Sequence, residues 1–466
     1  MYVSVESFIL RKVAIWGFGR EGQAALRFLR RMFPEKKIGL ILSPEEAASW
    51  DFGDNPLLEV VTAEPSPGTF GPYQIIIKSP GISPYKYAKA MEWAYFRGTR
   101  FVSGTGLWFA YHRQDKTIAI TGTKGKSTTS ALTASLLRQS GARTLLAGNI
   151  GLPLLDVMDP SPEPDYWVIE LSSYQTADFE GHPAIASVLN LSPEHLDWHG
   201  DEDRYYQDKL RICANGNADL AVLNAADARL MEHTAHLERR ALFNHPDFWH
   251  ARGNEVWHGP ERVIDLSHLA LTGAHNASNV AAAFTMVEAF GHEPRGLLDA
   301  VRDFKPLPHR LTRLGERDGV AYVDDSISTT PEATIAALRS LSPRPSVVIV
   351  GGYDRGLAWD DFVRAVAVEP PTGIVTVGQN GPRIFEQLDT QIRSMPPGQR
   401  PRLASAADLP EALSAAQRMV PASGVILLSP GAPSFDQFKD YAERGREFAR
   451  LAGFEVGDDS IEGLGQ

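Results

Sequence analysis

The residues of this chain with the most definite chemistry lie in 117–130, TIAITGTKGKSTTS. A short apolar, β-rich run turns at Gly122 and Gly125 and continues into a helix-compatible segment. A strand that feeds a glycine loop and then a helix N-terminus leaves several backbone N–H groups unpaired and pointing one way, which suits a phosphate. Lys126 adds a point charge for the β- and γ-phosphates, and the hydroxyl of Ser127 or Thr128 can reach a bound Mg²⁺. The full Walker pattern asks for a glycine five residues before Gly125, where this chain has Ile120. The loop is therefore a variant of that pattern. The plainer reading, a strand-to-helix turn with a surface lysine, loses to the strand–loop–helix context.

Three further polar segments follow the ends of expected strands and can converge on the Gly125 loop. They are Gly148–Gly151 (GNIG), Glu170–Tyr174 (ELSSY) and Asn190–Asp197 (NLSPEHLD). Glu170 and His195 are candidates for a magnesium site, the carboxylate being the expected hard ligand and His the less usual one. Taken singly, Glu170 reads equally as a helix N-terminal cap and His195 as a hydrogen-bonded loop residue. Lys209 lies in the helical stretch 201–214, DEDRYYQDKLRICA, where by itself it reads as a solvated lysine paired with neighbouring carboxylates.

The elements that must position these groups are legible as short apolar runs ending in glycine or a polar residue, at 13–19, 73–81, 166–173, 321–326, 347–352 and 425–431. Helix-length segments lie between them, at 20–33, 127–140, 277–290, 332–341 and 434–451. This alternation predicts an α/β fold with mostly parallel sheets, whose ligand sites sit at the carboxyl ends of the strands. Boundaries fall near residue 110 and near Pro306-Leu307-Pro308, both expected to act as hinges. The resulting domains are 1–110, 111–308 and 309–466. Region 232–270, polar and rich in His and Trp, is expected to form shorter strands and loops.

In the first domain Gly17, Gly19 and Gly22 form GFGREG directly after the strand VAIW, with the spacing of a dinucleotide fingerprint. Glu45 and Glu46 follow the second strand, and Ser79-Pro80-Gly81 supplies a second wall of the same pocket. A nicotinamide-dependent oxidoreductase is one reading of this domain; a Rossmann-like fold holding another diphosphate is the alternative. The phosphate loop in the next domain points to ATP rather than hydride as the energy source.

Composition narrows the classes. The 466 residues are 43% hydrophobic and 22% charged, as in ordinary folded domains. A net charge of −11 disfavours nucleic acid or an anionic membrane as a partner. The single cysteine, Cys213, excludes an intrachain disulfide, reads as a small core filler and fits a reducing cytoplasm. No stretch approaches the length needed to insert in a membrane, and the N-terminal residues lack a signal-peptide layout.

Taken in order, TGTKGKST (121–128), GNIG (148–151), ELSSYQ (170–175), NLSPEHLDWHG (190–200), the DKL around Lys209, HNASN (275–279), LPHR (307–310), DDS (324–326) and LSPGAPSFDQF (428–438) resemble the signature segments of the Mur ligases. The resemblance spans nearly the whole chain and is nearest to the glutamate-adding branch of that family. It implies three α/β domains: a Rossmann-like N-terminal domain for the uridine diphosphate of the substrate, a central P-loop ATPase-type domain with a parallel sheet, and a Rossmann-like C-terminal domain for the incoming amino acid.

The implied reaction joins glutamate to UDP-N-acetylmuramoyl-L-alanine through an acyl phosphate, at the expense of ATP and with Mg²⁺. The resemblance gives ATP to Gly122, Thr123, Lys124, Gly125, Lys126, Ser127, Thr128, Asn276, Asn279, Arg310 and Asp325. Metal ligation falls to Ser127, Glu170 and a carbamylated Lys209, with His195 close by. The nucleotide-linked substrate falls to Gly17, Gly19, Gly22, Ser79, Gly81, Asn149 and His195, and the glutamate to Thr329, Arg355, Ser434 and Tyr441. A monomer is expected.

Three positions depart from the D-glutamate-adding pattern. Lys124 stands where Asn is common, Ile327 where Lys is usual, and Arg355 where Lys meets the acceptor's side-chain carboxylate. Arg grips a carboxylate with a planar fork and Lys with one compact charge, so these changes would re-aim the acceptor. They favour the smaller branch that adds L-glutamate, with a separate epimerase acting on the product; D-glutamate addition is the alternative. A folylpolyglutamate-type ligase shares the ATP chemistry, but the glycine fingerprint argues for a nucleotide-linked substrate. A non-catalytic module would be expected to lose Lys126, Glu170 or Lys209, and all three are present.

Overall fold

A computed structural model of the chain describes residues 5–48, 50–305, 308–354 and 357–455. They fall into two compact units, one ending at Lys305 and the other beginning at 306.

The first unit carries two parallel sheets. Strands β1 (Val13–Trp16), β2 (Ile38–Ile41), β3 (Leu58–Val61), β4 (Ile75–Lys78) and β5 (Arg100–Ser103) lie in the order β3-β2-β1-β4-β5. Every residue of β1, β2 and β4 is buried, as expected for strands covered on both faces, whereas the edge strand β3 is half exposed. The second sheet holds β6 (Thr117–Thr121), β7 (Thr144–Gly148), β8 (Tyr166–Glu170), β9 (Ile185–Val188), β10 (Leu220–Asn224) and β11 (Arg240–Phe243), ordered β11-β10-β9-β6-β8-β7. Region 232–270 adds a small antiparallel sheet of β12 (Trp249–Arg252), β13 (Glu255–His258) and β14 (Glu261–Asp265), packed on the helix Ala274–Ala289.

One hydrophobic core runs through both parallel sheets, from Val13 and Phe28 through Trp108 to Ala119 and Trp167. The expected joint near 110 lies in the buried helix Gly104–Tyr111, whose N-terminus is capped by Ser103. Trp108 packs edge-on against Trp167 with ring centroids 4.7 Å apart. Polar ties reinforce this packing. Arg27 binds Asp156 in a fork at 2.6 and 2.9 Å, and buried Lys78 lies 3.1 Å from Asp178.

The second unit is one mixed sheet, β15 (Thr312–Arg317), β16 (Val320–Asp324), β17 (Ser346–Val350), β18 (Gly373–Thr376), β19 (Arg402–Ser405) and β20 (Val425–Leu428). The order is β15-β16-β20-β17-β18-β19, with only β15 antiparallel. Its last helix covers Tyr441–Leu451, not the 434–451 expected from sequence. Asp440 caps that helix by accepting from Glu443 N, and Asp436 accepts from Gln379 N, so 434–440 spend their polar groups on a loop. Among the described residues no helix is long and apolar enough to cross a membrane.

Because both sheets of the first unit share one core, Trp108→Ala should weaken them together. The expected loss is about 3–5 kcal/mol, the usual cost of deleting a fully buried indole. It would be read as a lower melting temperature with amide exchange accelerated equally in β1 and in β6.

Candidate active site

The phosphate loop leaves β6, which sits between β9 and β8 near the middle of its sheet. Thr121 ends β6 and Glu170 ends β8, and Asn190 lies two residues past β9, so three strand ends deliver their polar residues to one side. Gly125 caps the helix Lys126–Gln139 in a left-handed conformation (φ 84°), with no side chain closing that end. A Cβ there would lie 2.5 Å from Asn279 Oδ1 and in a conformation that L residues avoid. Asn279 is itself held by Asn276 at 3.2 Å, and Asn276 donates to Thr272 O. Asn276 and Asn279, both expected at the ATP, are thus placed beside the phosphate loop, Asn279 against Gly125 and Asn276 behind it.

The loop is braced from the β9 side. Thr123 N donates to Asn190 O and Lys124 N to Asn190 Oδ1. The Thr123 hydroxyl meets Ser192 O at 2.9 Å and the Tyr205 hydroxyl at 3.0 Å. Lys124, one of the departures noted above, is ion-paired with Glu194.

Two amines meet the same carbonyl. Lys126 Nζ donates to Gly122 O at 2.9 Å and to Thr123 O at 3.0 Å, and Lys209 Nζ donates to Gly122 O at 2.9 Å. Lys209 is 2% exposed and lies over the Tyr205 ring at 4.9 Å, so it is not the solvated helical lysine that its local sequence suggested. Its helix is Glu202–Leu210, started by Asp201, which accepts from Arg204 N at 2.8 Å. Burial, with the nearby Lys126 charge next, pushes the Lys209 amine well below the usual lysine range.

Glu170 is fully buried at the end of β8. It accepts from Asn149 Nδ2 at 2.7 Å through Oε1, while Oε2 has no hydrogen-bond partner. The helix cap here is Ser172, which makes a capping box with Gln175, so Glu170 is not the cap that was its alternative reading. Ser127 is buried and Thr128 half-buried in the first turn of the helix. His195 stands at φ 55° as the cap of a short helix, its ring 4.9 Å from that of Tyr174. Among the described residues no group of three His, Cys, Asp or Glu could hold a metal, so a cation at Glu170 would draw its remaining ligands from other oxygens. The orphaned Oε2 fits such a cation. Cys213 is buried in the core, and burial pushes its thiol up to about 12.

A cleft of about 530 Å³ opens at the carboxyl ends of β1, β2 and β4 and is closed on its far side by Trp198, His199, Gly200 and Arg204. Trp16, Ser43, Glu46, Lys86 and Tyr87 line it, with Gly81 from the expected second wall. Gly17, Gly22 and Ser79 instead build the turn beneath. Ser79 Oγ donates to Gly17 O at 2.8 Å, and a Cβ on Gly22 would stand 2.1 Å from that same oxygen. Gly19 caps the helix Arg20–Met32. Glu46, one of the two acidic residues that follow the second strand, accepts from Phe18 N at 3.0 Å and closes the glycine turn itself. The aromatic and cationic lining had no fingerprint in the sequence.

In the second unit the buried carboxylate of Asp325 accepts from Leu311 N, Ser328 Oγ and Ser429 Oγ at 3.2, 2.5 and 2.7 Å. Arg310 lies close enough for its charge to favour the carboxylate, yet burial wins and pushes Asp325 up to about 6. Arg444, not picked out from sequence, is 4% exposed and binds Ser326 O, Ser326 Oγ, Ala432 O and Pro433 O. Burial lowers its guanidinium to about 10. Ser326 Oγ also donates to Tyr441 O, so Arg444 ties Tyr441 to the loop that precedes buried Ser434. Thr329 is half-buried beside the helix cap Thr330. Arg355 lies outside the described residues.

Asp325 generates a pH prediction. Its folded pKa is raised from 3.8 to about 6, so the native state holds the proton longer than the unfolded state and loses stability as pH rises through that window. Asp325→Asn, lacking this titration, should gain on the native protein between pH 4 and 7 by at most about 3 kcal/mol. Melting temperatures of both full-length proteins across that range measure it.

Comparisons with known proteins bear on these sites. Residues 120–287 match the model of the Mur ligase middle domain, and residues 309–431 match that of the Mur ligase, glutamate ligase domain. A UDP-N-acetylmuramoyl-L-alanine–L-glutamate ligase of Xanthomonas euvesicatoria pv. vesicatoria is 47% identical over 465 residues, covering 98% of each chain. Among solved structures, a UDP-N-acetylmuramate-alanine ligase of Thermotoga maritima superposes with a TM-score of 0.57 at 18% identity, over 95% of this chain and 99% of that one. A MurF ligase of Thermotoga maritima, in complex with ADP, superposes with a TM-score of 0.56 at 14% identity, over 98% and 96%. The structural likenesses speak for the fold alone, and the sequence relationship settles the rest: this chain belongs to the Mur ligase family.

Proposed function

We propose that this chain joins L-glutamate to UDP-N-acetylmuramoyl-L-alanine in an ATP-dependent, ADP-forming ligation of peptidoglycan precursor synthesis. The observation that carries this reading is identity of 47% over 465 residues to a ligase named for that reaction, on a chain where Lys126 and Lys209 share the carbonyl of Gly122 and Glu170 is buried at the end of β8. In this proposal residues 1–110 take the nucleotide sugar, 111–308 the ATP and 309–466 the glutamate, in a monomeric cytoplasmic enzyme.

The substrate carboxylate attacks the γ-phosphorus of ATP, ADP leaves, and an acyl phosphate forms. The glutamate amine then attacks the acyl carbon, and inorganic phosphate leaves from a tetrahedral intermediate. The first step brings two anions together and needs positioning and neutralised charge. Residues Gly122–Thr128 would cradle the phosphates and Lys126 would supply the fixed cation. Asn276, Asn279, Arg310 and Asp325 would hold the nucleoside, with Asp325 on the ribose. Glu170, Ser127 and Lys209, with His195 adjacent, would hold Mg²⁺, which when bound adds charge neutralisation between the anions.

A lysine kept neutral by burial can take up carbon dioxide: the amine nitrogen bonds the carbon, one proton leaves, and a carbamate results. Burial favours the neutral amine at Lys209, and the change would put a hard oxygen ligand beside Lys126. Asn149, oriented by Glu170, would face the muramoyl substrate. Thr329, Arg355, Ser434 and Tyr441 are the proposed glutamate contacts. The product with L-glutamate would call for a separate epimerase.

The test is phosphate release by the pure protein with UDP-N-acetylmuramoyl-L-alanine, ATP and Mg²⁺, run with L- and D-glutamate in separate tubes. Release with L-glutamate alone is expected. Release with D-glutamate alone would transfer the chain to the other branch and make Ile327 and Arg355 incidental. Lys126→Ala should lower turnover by roughly 10²–10³-fold, as loss of one preorganised electrostatic contact does. Lys209→Ala should be comparably slow and regain rate with added short carboxylates. Full activity of that variant without supplement would exclude the carbamate.

A further inference from the structure

A hydrogen-bonded chain ties the cleft of the first sheet to the helix that carries Lys209. Tyr85, on the loop after β4, donates its hydroxyl to Asp208 Oδ1 at 2.5 Å, and Asp208 Oδ2 lies 2.6 Å from His199 Nδ1. The Asp208 and His199 side chains are 1% and 0% exposed, so water does not compete for these bonds. His199 Nε2 has no partner, which leaves Asp208 as the group that fixes the imidazole. Arg211 adds a weaker contact to Asp208 at 3.7 Å. Burial, and then the Asp208 carboxylate, hold the Tyr85 phenol well above its usual range, so it remains a donor.

The same loop is tied to the same segment twice more. Ser83 Oγ donates to Trp198 O at 2.8 Å, and Trp198 Nε1 donates to Gly81 O at 2.9 Å. The Arg204 guanidinium lies 4.6 Å over the Tyr85 ring. Gly81, Ser83, Tyr85, Trp198, His199 and Arg204 all line the 530 Å³ cleft. Asp208 is the residue immediately before Lys209, whose amine is bonded to the phosphate loop. The residue bonded to two side chains of the cleft wall, Tyr85 and His199, is thus one chain position from the ATP-side lysine.

We propose that Tyr85, Asp208 and His199 are positioning residues that couple occupancy of the nucleotide-sugar cleft to the placement of Lys209. A ligand that orders the 79–87 loop pulls Asp208 into register through Tyr85, and Asp208 sets the helix that carries Lys209. This rests on reading the cleft as the nucleotide-sugar site and Lys209 as part of the ATP site. The chain is a device for order: the lysine is set correctly only when the carboxylate to be phosphorylated has arrived.

Two measurements on the full-length protein decide it. Tyr85→Phe keeps the ring and removes the hydroxyl. It is expected to lower kcat for phosphate release about tenfold while KM for ATP stays within about twofold. Combined with Asp208→Asn it should cost little more, because both changes cut one chain. His199→Asn, which retains an N–H donor toward Asp208, should recover most of the rate that His199→Ala loses. Losses that multiply, or a loss confined to KM for the nucleotide sugar, would overturn the coupling. The second measurement needs no turnover: the rate at which cyanate carbamoylates the Lys209 amine, read by peptide mass spectrometry with Lys126 as internal reference. In Tyr85→Phe that rate should rise about fivefold at Lys209 alone, as a loosened local structure exposes it. An unchanged Lys209 rate overturns the proposal even where the native protein ligates its substrates. If the native protein releases no phosphate with either glutamate, the functional reading fails, and the cyanate rates still decide the coupling.

Discussion

Two lysine amines donate to one carbonyl oxygen, that of Gly122, and the first unit is arranged around the consequences. Two ammonium groups held this close in a dry site repel, and burial alone already disfavours the charged form of either. The strain is not shared equally. Lys126 is half-buried at a helix N-terminus, its amine on the carbonyls of Gly122 and Thr123. Lys209, sealed beneath Tyr205, bears the desolvation and is the one driven toward neutrality. A neutral amine beside a cationic one is chemically asymmetric: in the proposed reaction one would neutralise phosphate charge, and the other would take up carbon dioxide. That asymmetry comes from depth of burial, not from residue type.

What holds the pair in place is the parallel sheet. The carbonyl of Gly122 is presented by β6 between β8 and β9, so displacing any of those strands would displace both amines, Glu170 and the Asn190 brace together. The first sheet belongs to the same mechanical body, because Trp108 and its neighbours give both sheets one core and Arg20 reaches across to the carbonyls of Gly148, Asn149 and Gly151. The cleft of the first sheet and the phosphate loop are consequently fixed to each other by packing as well as by the Tyr85–Asp208–His199 chain.

The strands and most helices were legible because α/β segments announce themselves by apolar runs that end in glycine. The phosphate loop was legible because its glycines, lysine and hydroxyls are contiguous. Less legible was whatever depends on one residue finding another far along the chain. Lys209 read locally as a solvated lysine, since nothing in DEDRYYQDKL reveals that Tyr205 and the phosphate loop will bury it. Glu46 stood beside the glycine fingerprint in the sequence, but spacing cannot show that its carboxylate turns back to Phe18 N. His199 and Asp208 lay inside quoted segments but gave no sign of pairing, and their partner Tyr85 lies 123 residues before Asp208. Arg444 had no signal at all, being one arginine among many in a charged helix.

Arg444 also bears on how the second unit can meet an amino acid. Its guanidinium is engaged by four oxygens of Ser326, Ala432 and Pro433, which leaves it structural rather than available to a substrate carboxylate. Arg383 is likewise committed, gripping Asp354 in a fork at 2.8 and 3.2 Å. Ile327, where the related D-glutamate pattern has a lysine, offers no charge. Two nearby cations are thus occupied and a third is replaced by a hydrocarbon. In the proposed reaction the acceptor's side-chain carboxylate then falls to Arg355, next in the chain to the Asp354 that Arg383 anchors. A fork-shaped cation constrains both the position and the plane of the carboxylate it holds. Fixing that plane at one end of a short amino acid, while the amine must reach the acyl carbon at the other, sets two of the three contacts that a stereochemical choice needs, and the α-carboxylate must meet the third.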